Sequence, residues 1–159
     1  MSESREVQQL LSIIDQAYDH RSWHGTNLRG SIRGLSSKQA ARRPRPERHN
    51  IWELVVHAAY WKYAVTRRLT GQRRGSFPLK GSNWFPRRQS ANEAEWREDV
   101  ALLESTHRAL REAVASLSAT DLSRTPKGSK ISNFFIISGI AAHDLYHAGQ
   151  IQLLKKLID

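Results

Sequence analysis

The 159 residues include seven histidines and no cysteine, so disulfides and thiolate chemistry are excluded and any metal would be held by imidazoles or carboxylates. Two of the histidines, His143 and His147, stand four apart in the apolar stretch GIAAHDLYHAGQIQLL, Gly139 to Leu154. On a helix this spacing puts two imidazoles on adjacent turns of one face, where their nitrogens can reach one ion about 2.1 Å away. At about 100° per residue, Ile136, Ile140, His143, His147, Gln150 and Leu154 share one arc, so both rings point toward the packing face. The same construction on IWELVVHAAYWKYAVTRRLTG groups Leu54, His57, Trp61 and Ala64 and adds a third inward histidine. His107 is a fourth candidate. A lone histidine on an apolar stripe is ordinarily a neutral core residue, and His107 is read that way. A pair is different, because burying two imidazoles together costs desolvation that an ion offsets by giving each lone pair a partner. Spacing by itself leaves two readings of His57, His143 and His147 open, a metal site and a set of neutral core histidines.

The elements that must position these rings are helical. Val7, Leu10, Leu11, Ile14, Ala17 and Tyr18 recur at steps of three and four, which predicts a first helix over about residues 5 to 20. WHGTNLRGSIRGLSSKQAARRPRPERHN reads as a broken or continued helix, then a helical turn capped by Ser36 or Ser37 and ended by Pro44 and Pro46. Asn50 with Glu53 has the capping-box spacing and opens a second main helix that stops at Gly71. Residues 72 to 89 read as a long loop, and Phe77, Trp84 and Phe85 predict that it packs. Ser90 with Glu93 reads as another capping box. Trp96, Val100, Leu103, His107, Leu110, Val114 and Leu117 then alternate steps of four and three, the pattern of a bundle seam. SATDLSRTPKGSK is a connection, and a last helix runs from about Ile131 to Ile158. The expectation is an all-α chain, a single domain over residues 1 to 159, folded as a four-helix bundle with a long loop between helices two and three.

A net charge of +10 invites nucleic-acid binding. The arginines, however, concentrate in turn-like segments (Arg42, Arg43, Arg45 and Arg48 among prolines; Arg67, Arg68, Arg73 and Arg74 near glycines; Arg87 and Arg88 after Pro86). They read as solvated or as facing a small acidic ligand, and specific nucleic-acid binding is not expected. The N-terminus lacks the basic start and apolar run of a secretory signal, and no stretch approaches the roughly 18 apolar residues of a membrane span. A cytoplasmic protein without membrane association is expected.

GIAAHDLYHAGQIQLLKK and HNIWELVVHAAYWKYAVTRRLTG, in this order and at this separation, resemble the DinB-like superfamily of DinB/YfiT-type metal-dependent proteins, which is distinct from the polymerase sharing the DinB name. The resemblance covers nearly the whole chain, WHGTNLRGSIRGLS included. It implies a four-helix bundle and a divalent ion held by His57, His143 and His147; imidazole ligands suit zinc or nickel. Three neutral histidines leave coordination positions open, the ligand count of a catalytic site. Relatives imply activation of water or of a low-molecular-weight thiol cosubstrate, hence a hydrolase or thiol S-transferase acting on a small molecule, and a homodimer is compatible with the resemblance. A noncatalytic metal-binding or stress-sensing bundle is the alternative.

Around the ion, Gln150 shares the ligand face and either holds water or substrate or bridges helices. Asp144 and Tyr146 point off that arc; either could support an imidazole of a neighbouring helix, but a surface Asp and an interface Tyr are expected. His24 is expected in a surface turn, with the pocket mouth as alternative. Trp61 and Trp84 are candidate pocket walls, although Trp61 also suits ordinary core packing, and Glu53 is read as the capping-box partner only. No carboxylate base stands out on the ligand faces, which counts against a His-Glu-x-x-His mechanism and leaves the catalytic base unassigned.

Overall fold

The first amphipathic stretch does what its spacing requires. In a computed structural model, which describes residues 4–88, 90 and 92–158, it forms α1 (Arg5–Tyr18), with Val7, Leu10, Leu11, Ile14, Ala17 and Tyr18 all buried. Ser4 caps it, accepting from the Val7 amide at 3.3 Å. The glycine-containing stretch that follows breaks into two short helices, α2 (Leu28–Ser31) and α3 (Ser37–Ala41), and Ser36 caps α3 with a full capping box to Gln39. α3 ends at Ala41, ahead of Pro44.

α4 (Ile51–Thr70) begins at Asn50, whose side chain accepts from the Glu53 amide at 2.8 Å, and stops where Gly71 turns left-handed at φ 72°. The reciprocal half of the expected capping box does not form. The Glu53 carboxylate is buried and turned to Arg43, to the Arg87 amide (2.9 Å) and to His49 Nδ1 (3.0 Å). The arginines give a charge-assisted partner that a helix-start amide cannot match. Arg43 and Arg87 are therefore not plain solvated loop residues; Arg87 also pairs with Asp99 at 2.8 Å.

α5 (Glu93–Ala115) corrects a second cap. Asn92 with Glu95 forms the capping box, and Ser90 lies outside it in a turn. Both pairs have capping-box spacing, and a carboxylate at Glu93 is taken instead by the Ser37 amide at 2.8 Å, tying α3 to the start of α5. The connection after α5 is not plain either. It contains α6 (Ala119–Ser123), opened by a capping box between Ser118 and Asp121. α7 (Asn133–Ile158) closes the chain.

Among the described residues there is no strand, and no helix is long and apolar enough to cross a membrane. α4 packs on both α5 and α7, while α1 packs on α7 and α5, so each of the four long helices has two long neighbours. Between α4 and α5 the described residues form no helix, and Gln89 at the end of the expected loop lies outside them. That segment folds back through its aromatics: Phe77 lies 5.3 Å from both Tyr60 and Phe85, and Phe85 is buried. The consequence for function is that α4, α7 and the returning segment around Asn83 and Trp84 meet at one place.

Candidate metal centre

His57 from α4 and His143 and His147 from α7 meet there, and their ligand atoms all lie within 4.8 Å of one another. His143 Nε2 is 3.1 Å from His57 Nε2 and 3.0 Å from His147 Nε2. Nitrogens at right angles about 2.1 Å from a common ion would stand about 3.0 Å apart.

Two tautomers are set by the partners of the opposite ring nitrogens. His57 Nδ1 donates to the Asn83 carbonyl at 2.7 Å, and His147 Nδ1 donates to Gln150 Oε1 at 2.7 Å. Both Nε2 atoms therefore carry lone pairs directed at His143, the arrangement that outer partners impose on metal-binding imidazoles. A proton on His143 Nε2 could satisfy one of them and not the other. A divalent cation satisfies all three, so the residues fit an ion.

Burial keeps the rings neutral. It lowers His57 to about 4 against the opposing Asn83 hydrogen bond, lowers His143 to about 3 with help from the neighbouring imidazoles and Lys62, and lowers His147 against its bond to Gln150. These values lie below the unfolded pKa of about 6.5, so the unfolded chain binds more protons over the interval. The metal-free protein is thus expected to hold its full stability above about pH 6.5 and to lose it progressively as pH falls toward about 4 and then 3. Urea midpoints across this range, with proton NMR of the ring signals, check it; imidazoles titrating near 6.5 in the folded chain would contradict it.

The expected surroundings divide sharply. Trp84 stacks on His57 at 3.9 Å and, on its other face, on His49 at 3.6 Å, so one indole from the α4–α5 segment is sandwiched between an α4 imidazole and one just ahead of that helix. Trp61 is partly exposed, with its ring 6.4 Å from His57 and 6.5 Å from His143, and its indole N–H donates to Asn83 Oδ1 at 2.9 Å. Gln150 accepts from His147 Nδ1 within α7, a bond that orients the His147 ring. Tyr146 is exposed, with its ring 5.2 Å from that of His147. His24 lies exposed in the turn after α1.

Asp144 is a correction. It is not on the surface, being 1% exposed, and among the described residues its carboxylate bonds to no imidazole. It is ion-paired with Lys62, itself 0% exposed, which joins α4 to α7 one position from His143. Burial pushes its carboxyl above the usual carboxylate range, and Lys62 pulls it down. Lys62 Nζ also lies 5.0 Å from the Tyr18 ring, which stacks on buried His107 at 3.6 Å. His107 thus belongs to a second interior polar cluster, apart from the three converging nitrogens, and burial followed by Lys62 and Arg111 lowers its pKa.

Sequence reasoning missed three contributors, Asn83, His49 and Lys62. Asn83 adopts φ 66° within a three-residue turn where the Trp84 amide donates to Ser82 O at 2.8 Å. Asn is among the few residue types that tolerate this backbone, and the GSNW sequence was the available signal. Lys62 carried no signal: a lysine beside the packing stripe ordinarily reads as snorkelling to solvent.

The family model of the DinB superfamily matches residues 20–151, and the chain belongs to that superfamily. No curated protein and no solved structure matches it.

Proposed function

We propose that this DinB-superfamily protein is a metal-dependent enzyme with His57, His143 and His147 as the ligands of a divalent ion, zinc or nickel, both of which suit imidazole. The observation that carries the reading is the pair of Nε2 lone pairs, set by Asn83 and Gln150, directed at the third Nε2. Such an ion lowers the pKa of a bound water or thiol and polarises an electrophile. Around it, Trp84 shields His57, and Trp61 covers His57 and His143 from the side. The substrate is a small electrophilic molecule, attacked by water or by a low-molecular-weight thiol. The two-neighbour packing of α1, α4, α5 and α7 supports reading them as one four-helix bundle.

A second reading, a noncatalytic metal-binding bundle, is favoured by one observation. The three-histidine group includes no carboxylate, and buried Glu53 is committed to Arg43, Arg87 and His49.

Elemental analysis after mild purification is expected to find close to one divalent ion per chain, and cobalt substitution to give a visible spectrum. Absence of binding in metal-replete neutral buffer would sink the proposal. Thiols and duplex DNA titrated at two salt concentrations separate the functions. The enzyme reading expects metal-dependent thiol binding with shallow salt dependence, and only weak DNA binding that falls steeply with salt. Tight DNA binding by the metal-free chain at physiological salt would overturn it.

A further inference from the structure

A groove of about 180 Å³ runs between α4 and α7, and His143 is the one of the three histidines that lines it. Its walls are the side chains of Val65, Ile131, Ile136 and Ile140 with the rings of Trp61 and Phe135. A larger cleft of about 510 Å³ beside Arg87, Glu95 and Asp99 holds none of the three. The groove is close in size to an apolar cavity of about 150 Å³ that takes one benzene.

Two features give the groove a preference. Gly139 forms part of its lining in the second turn of α7, where glycine is unfavourable to a helix, and a Cβ placed there would meet nothing within 4 Å. Close packing therefore does not require the glycine, and a larger residue would extend into the groove. Arg68 supplies the only full charge along the lining. Its guanidinium carbon lies 5.9 Å from the Trp61 ring centroid, although the two residues are about two turns apart on α4. Among the described residues no carboxylate is paired with it, in contrast to Arg29, Arg43, Arg87 and Arg111. An apolar trough with one uncommitted cation over its indole wall and a ring nitrogen cluster beside it selects for charge as well as shape.

We propose that this groove binds a small organic anion with an apolar body about the size of one aromatic ring, the anionic group on Arg68 and the body along Val65, Ile136 and Ile140. The assignment of this molecule as the electrophilic substrate rests on the metal-centre reading; its binding to the groove does not. The scarcity of polar groups in the lining disfavours a peptide-like thiol in this position and leaves the groove to the other reactant.

Isothermal titration tests the groove with phenylacetate, its neutral counterpart 2-phenylethanol, and acetate, each against metal-free and zinc-loaded chain, with zinc content measured on the same samples. Phenylacetate is expected to bind the metal-free chain about ten times more tightly than 2-phenylethanol, and acetate not at all. Arg68→Gln, at an exposed position, should bring the two ring compounds within about twofold of each other. Gly139→Leu should weaken both at least tenfold while retaining its helical circular dichroism, and Gly139→Ala should give an intermediate loss. Failure of phenylacetate to bind metal-free chain, or equal binding by folded Gly139→Leu, overturns the proposal, as does binding seen only with zinc, which would place the carboxylate on the ion. Phenylacetate binding by a chain that takes up no zinc supports the groove and removes only the metal-centre reading.

Discussion

Replacing His147 by alanine is expected to abolish stoichiometric metal binding at neutral pH, and His57→Ala and His143→Ala should do the same. Each removes one of three converging nitrogens and leaves two, too few to hold an ion against water. The graded control is Gln150→Leu. Gln150 accepts from His147 Nδ1 at 2.7 Å and thereby fixes which nitrogen faces the cluster. Loss of such an outer partner typically weakens metal affinity by about 10- to 100-fold. His107→Ala should leave the stoichiometry at one ion and instead cost about 1–3 kcal/mol of stability, because its ring is buried and stacked on Tyr18 at 3.6 Å. Elemental analysis and titration with a competing chelator read the affinities, and urea unfolding reads the stability. Equal loss of metal in His107→Ala would mean that α5 also supplies a ligand.

The largest stability effect is expected at Lys62. Lys62→Met leaves the Asp144 carboxylate buried without its cation, and breaking a buried pair from one side costs about 3–5 kcal/mol. Asp144 Oδ1 already lacks a hydrogen-bond partner among the described residues, so no second donor stands ready to compensate. Removing both charges is different. Lys62→Met with Asp144→Leu should recover most of the loss, since apolar replacement of a buried pair is often near neutral. The pair joins the two helices that carry all three histidines, so metal affinity should fall in the single variant and return in the double. Urea midpoints together with metal titration check both; a single variant within about 1 kcal/mol of the parent chain would contradict the burial of this pair.

The helices and their inward faces were legible because they depend on short-range periodicity. Steps of three and four put Val7 through Tyr18 on one face whatever they pack against, and the same geometry obliges His143 and His147 to project together from α7. Caps were legible only to within a register. Ser90–Glu93 and Asn92–Glu95 have the same spacing, and a hydrogen bond from Ser37, 56 residues distant, claims Glu93 and leaves the box to Asn92. Glu53 shows the same effect with a larger consequence, since Arg43 and Arg87 come from segments that only the fold brings to it.

Local order along the chain determined that this protein is helical and that its histidines at 57, 143 and 147 face inward, since a side chain's direction follows from backbone geometry within one or two turns. Tertiary structure alone decided the partners. It brought the Asn83 carbonyl, 26 residues along, to His57 Nδ1, slid Trp84 between His49 and His57, and buried Asp144 against Lys62 rather than in solvent. Hydrogen bonds and ion pairs require atoms within about 3 Å, and no periodicity in a sequence encodes which distant carbonyl, ring or ammonium will arrive at that distance.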